Sequence, residues 1–357
     1  MNAKQAKHIA RGWVETNLDQ WPGLRAAHLV GGITSMADDA PFPASKDLDV
    51  HLVFDEGSPA LQPTGPFQNM IEVSHGGISI EAGIKSAAEY ASPEVVLANP
   101  EIAHHLMLDT LLYDPSGLLG DLQAPVRREY PRRRWVLARV EHERTGLAGA
   151  LELLPMARQM SGAAGELNIL GYSTTFLAAT LCVATLNPPR MGGRMFVRTR
   201  QLLAEYDRLD LHDDALALLG VRDATPALVE DLLQEAAATF DLAVPIRKTP
   251  SPFGHKLHAH LRPYFVDACR SMIAAGDHRE ALAWVTPYHI ATTDVMLVDG
   301  PETERPLYEE RRARFLQTLG FDTAEARAAR FAQANRLYDQ VFALAAEIIA
   351  KHPRIVD

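Results

Sequence analysis

Cysteine is almost missing from this chain: Cys182 and Cys269 are the only two in 357 residues. Two thiols build neither a disulfide framework nor a thiolate metal site, and such scarcity fits a reducing compartment. An uninterrupted apolar span is missing too. The longest apolar run, Ile169 to Leu186, is broken by Tyr172, Ser173, Thr174, Thr175, Thr180 and Thr185, which favours a buried helix over a membrane crossing. Residues 1–7 lead into an amphipathic helix without an apolar signal segment, so a cytoplasmic protein is expected. Excess basic charge is lacking as well. With Lys+Arg 35 against Asp+Glu 45 the net charge is −10, whereas a protein gripping nucleic acid needs a strongly basic face. Arginines do gather at Arg127, Arg128, Arg132, Arg133 and Arg134, and at Arg190, Arg194, Arg198 and Arg200. Neither group is interleaved with the aromatics that single-strand binding uses, so partners for acidic neighbours are the simpler reading. No fixed-period repeat is present, which removes solenoid architectures.

What the chain does have is an acid pair in a strand pattern. Lys46-Asp47-Leu48-Asp49-Val50-His51-Leu52-Val53-Phe54 alternates polar and apolar residues, then turns apolar, as a strand entering a core does. Side chains two apart on a strand share a face, with backbones roughly 6–7 Å apart. Two carboxylates held so repel one another, and they make sense around a divalent cation, magnesium above all. Upstream, Ala26-Ala27-His28-Leu29-Val30 reads as a short strand ending in Gly31-Gly32, with Thr34 and Ser35 just beyond. Glycines there let backbone N–H groups approach an anion, the hydroxyls add donors, and a helix starting nearby would add its positive end. Downstream, Asn69 to Ser74, then His75-Gly76-Gly77, then Ile78-Ser79-Ile80-Glu81-Ala82 reads as a hairpin with a glycine turn. Glu81 has the parity opposite to Ile78 and Ile80, so it can join the face of Asp47 and Asp49. Glu72 competes for that role, and Glu81 is preferred because its apolar flanks suggest a central strand.

The order Val30-Gly31-Gly32, Asp47-Leu48-Asp49-Val50, Ile80-Glu81-Ala82 resembles the nucleotidyltransferase superfamily of the DNA polymerase beta type, particularly its aminoglycoside and lincosamide branch. The likeness spans residues 8–120. Two features depart from the family pattern: the spacer after Gly32 is long and carries Asp38, Asp39, Pro41 and Pro43, and Lys46 stands where a small hydroxyl residue is common. The resemblance implies a magnesium-dependent enzyme that moves a nucleoside monophosphate, AMP from ATP, onto a hydroxyl of a small molecule such as an aminoglycoside-like antibiotic. It implies that Asp47 and Asp49 hold the metal and that Glu81 completes a second metal site or serves as base. Gly31, Gly32, Thr34, Ser35 and Lys46 would meet the nucleotide. The alternative is a nucleotide-binding or protein-modifying chain of the same fold acting as a regulatory or interaction module.

A chain of this length exceeds one typical domain, and 47% hydrophobic residues supply ample core. The expected class is α+β: a mixed-sheet nucleotidyltransferase domain over residues 1–122, ending after the turn Tyr113-Asp114-Pro115-Ser116-Gly117, then an α-helical bundle over 123–357. Helical spacing recurs from Trp135 to Met160, Leu202 to Leu219, Pro226 to Phe240, Tyr264 to Val285, Glu309 to Leu319 and Thr323 to His352. His255, His258 and His260 lie close together but lack a completing carboxylate or cysteine at metal-ligand spacing. His104 and His105 face different sides of a predicted helix and read as unrelated. Glu141 and Glu143, after the junction, are candidates for a base contributed by the helical half.

Overall fold

Asn2 begins the regular structure in the computed structural model, which describes residues 1–62, 70–189, 192–250 and 254–357. Asn69, Arg190 and the side chain of His255 lie outside the described residues. The Asn2 side chain accepts the Gln5 N–H at 2.9 Å, and the Gln5 side chain accepts the Asn2 N–H at 2.9 Å. Two N–H groups that a helix start leaves bare are thereby satisfied reciprocally. Helix α1, Ala3–Thr16, then buries Ala3, Ala6, Ala10, Trp13 and Val14 as one stripe.

Among the described residues five strands follow: β1 Leu24–Val30, β2 Asp47–Phe54, β3 Met70–His75, β4 Ile78–Ser86 and β5 Leu111–Tyr113. They form one sheet in the order β3-β4-β2-β1-β5. β2 and β4 run parallel while the other neighbours are antiparallel, so the sheet is mixed and the fold α+β. Gly76 and Gly77 take φ of 57° and 82° and join His75 to Ile78 as a two-residue hairpin, the turn that needs positive φ twice.

Period-two alternation sorts the two faces. Leu48, Val50, Leu52 and Phe54 pack with Ile78, Ile80, Ala82, Ala27 and Leu29 against α1. On the other face Ala26 and Val53 pack beneath α2 Pro93–Ala98, α3 Pro100–Leu106 and α4 Gly120–Glu129. Asp47 and Asp49 belong to that second face and remain half-buried. The long spacer before them is tied down: Ala3 and Lys4 donate to the carbonyls of Ala40 and Asp38 at 2.9 Å, Phe42 donates to the Met1 carbonyl at 3.0 Å, and Phe42 is buried. Its extra length therefore serves to satisfy the start of α1.

The chain divides into two compact units, residues 1–142 with 183–192 and 348–357, and residues 143–182 with 193–347. The first continues past the expected junction at 122–123. Asp114 reverses the chain and caps α4, accepting from Leu119 and Gly120 N–H at 3.0 and 2.8 Å. Leu122, Val126 and Tyr130 then share a core with Val53 and Tyr90. The sheet's second face needs that apolar stripe as its cover, so the turn does not end the unit.

Further α-helices among the described residues are α5 Arg133–Glu152, α6 Leu154–Ala184, α7 Met195–Glu205, α8 Leu209–Leu218, α9 Pro226–Ile246, α10 Ala268–Ala274, α11 His278–Val298, α12 Arg305–Thr318 and α13 Ala324–Lys351. Within the second unit α9 packs along α11, and Phe265 stacks on Tyr288 at 4.0 Å and lies 6.0 Å from Phe240. By length and composition α6 could cross a membrane, but 78% of its most apolar window is buried inside the protein, as in a core helix.

Candidate active site

The sheet register assembles the acids. Asp49 on β2 pairs with Glu81 on β4, and Glu81 pairs in turn with Glu72 on β3. Residues paired across strands share a face at a backbone spacing of about 5 Å. A row of three carboxylates thus crosses the sheet, with Asp47 two residues further along β2 beside Ser79. All four are half-buried. Glu81 sits on the inner strand between Asp49 and Glu72, so the two candidates for third acid are neighbours. Like charges placed directly opposite destabilise a sheet, so packing alone gives no reason to line one face with them.

Gly31 borders this row. β1 ends at Val30, paired with Asp49, and Gly31 turns away with φ +65°. A Cβ at Gly31 would lie 1.9 Å from Asp49 Oδ2 and 2.8 Å from its Cγ. The Asp49 carboxylate occupies the space that any side chain here would take. Gly32 differs: it is exposed, and a Cβ there would meet nothing within 4 Å.

The turn itself, Gly31–Ser35, is a five-residue 3-10 helix, too short to act as the positive helix end expected from the sequence. Two groups expected to face a phosphate are engaged internally. Gly31 N–H donates to His105 Nε2 at 3.3 Å, and Thr34 Oγ1 donates to the Gly31 carbonyl at 2.8 Å while lying 3.1 Å from His105 Nδ1. Ser35 is exposed. Lys46 is half-buried, its Nζ 3.5 Å from Met36 Sδ.

Beside this turn lies a group of histidines that the spacing of the motif does not announce. His28, His51, His104 and His105 are all buried. His28 donates through Nδ1 to the Leu29 carbonyl at 3.2 Å, so its Nε2 accepts the Tyr90 hydroxyl at 2.8 Å, and His51 Nδ1 then donates to the Tyr90 oxygen at 3.2 Å. His104 Nδ1 meets the Tyr130 hydroxyl at 3.1 Å, and its ring stands edge-on to His105 at 5.3 Å. Desolvation drives all four towards the neutral form. It lowers His28 and His104 to about 4 and carries His51 and His105 well below their ordinary value, with charge on neighbouring histidines adding to the effect. His104 and His105 are therefore in contact with one another, contrary to the helix-face expectation, and His105 reaches the glycine turn.

Glu141 is exposed and Glu143 fully buried. His258 and His260 stack at 5.4 Å. Arg128, Arg132 and Arg134 all approach Glu129, at 3.3, 3.7 and 3.0 Å, and Arg133 pairs with Asp357 at 2.6 Å. That is the pairing with acidic neighbours expected for the first arginine cluster.

Among the described residues no group of three or more His, Cys, Asp or Glu side chains is arranged to hold a metal ion. The strands bring Asp47, Asp49 and Glu81 to one patch without gathering their carboxylates around a point. Magnesium is commonly held by one or two carboxylates together with substrate phosphates and water, and it takes hard oxygen donors. The donor chemistry of Asp47 and Asp49 fits that demand, whereas a preassembled three-acid cage is not present among the described residues.

No protein-family model matches this sequence, and no curated protein matches it. Among solved structures it is similar to a nucleotidyltransferase-like protein from Exiguobacterium sibiricum 255-15, at 12% identity and a TM-score of 0.28, over 76% of this chain and 92% of that one.

Proposed function

We propose that this chain is a nucleotidyltransferase: with magnesium it transfers AMP from ATP to a hydroxyl of a small molecule. The observation that supports this most is the acid row bordered by Gly31, whose missing Cβ leaves room for the Asp49 carboxylate. Asp47 and Asp49 would hold the magnesium ion, which when bound would offset the negative charge of the triphosphate. Gly32 and Ser35, both exposed on the turn that Gly31 opens, would receive the triphosphate. Glu81, the register neighbour of Asp49, would take the proton of the acceptor hydroxyl as its oxygen bonds to the α-phosphorus. The bond from that phosphorus to the bridging oxygen breaks, and pyrophosphate leaves. Position and charge do most of this chemistry, which suits residues fixed on adjacent strands. Pyrophosphate release, measured with each of the four nucleotides against a panel of aminoglycosides and sugars, tests the proposal. Release with the parent and none with Asp49→Asn is the expected result. Release that survives unchanged in Asp49→Asn would falsify the assignment.

A further inference from the structure

His105 closes a ring of hydrogen bonds around the first glycine of the turn, and one arrangement of protons satisfies it. The Gly31 carbonyl can only accept, so the Thr34 hydroxyl proton points at it. The hydroxyl oxygen must then accept from His105 Nδ1–H, which leaves Nε2 bare to accept the Gly31 N–H. The imidazole is thereby fixed as the neutral, Nδ1-protonated tautomer. Burial agrees with that form, since His105 is 4% exposed and desolvation disfavours its cation. The neighbouring chain braces it: Thr110 Oγ1, beyond the end of α3, donates to the His105 carbonyl at 3.2 Å, and the adjacent His104 is engaged with Tyr130.

We propose that His105 is a positioning residue that holds the Gly31–Ser35 turn in the shape that receives the triphosphate, a role that rests on the nucleotidyl-transfer reading above. Gly31 links the two: its amide is set by His105, and the space beside its Cα is filled by the Asp49 carboxylate. A shift of the turn therefore displaces either the phosphate-facing backbone or the acid.

Two measurements test this. In the ligand-free protein, nitrogen-15 spectroscopy of the histidine ring should find Nδ1 protonated and Nε2 bare, and the opposite tautomer or an imidazolium at neutral pH overturns the ring. Equilibrium binding of ATP with magnesium is then compared among the parent, His105→Gln and His105→Leu. Loss of one buried hydrogen-bonding partner should weaken binding about tenfold in His105→Leu. His105→Gln should stay within about threefold of the parent, because an amide oxygen can take the place of Nε2. Should His105→Leu not fold, Thr34→Val opens the same ring at a half-buried side chain and should weaken binding in the same direction. Parent-like binding by His105→Leu, or equal weakening in the leucine and glutamine variants, refutes the positioning role alone. A parent that binds no ATP with magnesium refutes the nucleotide reading itself and the positioning role with it, while the ring tautomer is decided separately.

Discussion

Alanine at Gly31 and alanine at Gly32 should move stability in opposite directions, although the residues are adjacent and both follow the same strand. Gly31 has φ +65°, where a Cβ costs roughly 1–2 kcal/mol. That Cβ would also sit 1.9 Å from Asp49 Oδ2, so the carboxylate must swing away, at about 0.5–1.5 kcal/mol for an off-rotamer side chain. Gly31→Ala should thus destabilise the protein by about 2–3 kcal/mol. Gly32 has no such φ and no heavy atom within 4 Å of its would-be Cβ. Alanine there mainly restricts the unfolded chain and should stabilise by about 0.4–1 kcal/mol. Urea denaturation with an unchanged slope reads both values. Asp49→Ala in the Gly31→Ala background removes the two closest contacts and leaves the Cβ of residue 49 at 3.1 Å. The double variant should therefore recover about 1 kcal/mol relative to additivity. Equal effects at the two glycines, or strict additivity in the double variant, would refute the claim that Asp49 fills the space beside Gly31.

Further outcomes follow from burial. His28 and His104 titrate near 4 when folded and near 6.5 when unfolded, so below pH 6.5 the unfolded chain binds protons that the folded one does not. Stability should be complete above pH 6.5 and fall as pH drops through 6.5 to 4, by about 3 kcal/mol for each histidine; denaturation midpoints at pH 7, 5.5 and 4.5 check this, and a flat profile contradicts it. Leu48 is fully buried between two half-buried acids on the opposite face. Leu48→Ala should cost about 2–5 kcal/mol, whereas Asp47→Asn should change the melting midpoint little; a comparable loss in both would mean that the acids serve packing.

Much of the sheet was legible because its signals are local. The hairpin glycines, the alternation through Asp47 and Asp49, and the apolar flanks that marked β4 as interior all act within a few residues. His51 shares the parity of Asp47 and Asp49, but its place in a buried histidine group was not legible, because its partners His28 and Tyr90 come from other elements. His105 carried no local signal, since its role depends on where α3 docks against the end of β1. The run from Leu202 to Leu219 is two helices, broken at Asp207 with φ 55°. Neither glycine nor proline marks that break, so the helical spacing ran straight through it. That the first compact unit runs on past 122–123 was hidden for a related reason: a strong turn at Asp114 looks the same whether the next helix leaves the sheet or covers it.

ATP protection against thermal unfolding, with and without magnesium, in the parent and in Asp47→Asn, tests the central claim most directly. Nucleotide at a hundred times its dissociation constant should stabilise the parent by about 2.7 kcal/mol in magnesium, with little effect when the metal is chelated or Asp47 is changed. A rise in Tm of equal size in all four conditions, or none in the parent with magnesium, would contradict a metal-nucleotide site at the acid row.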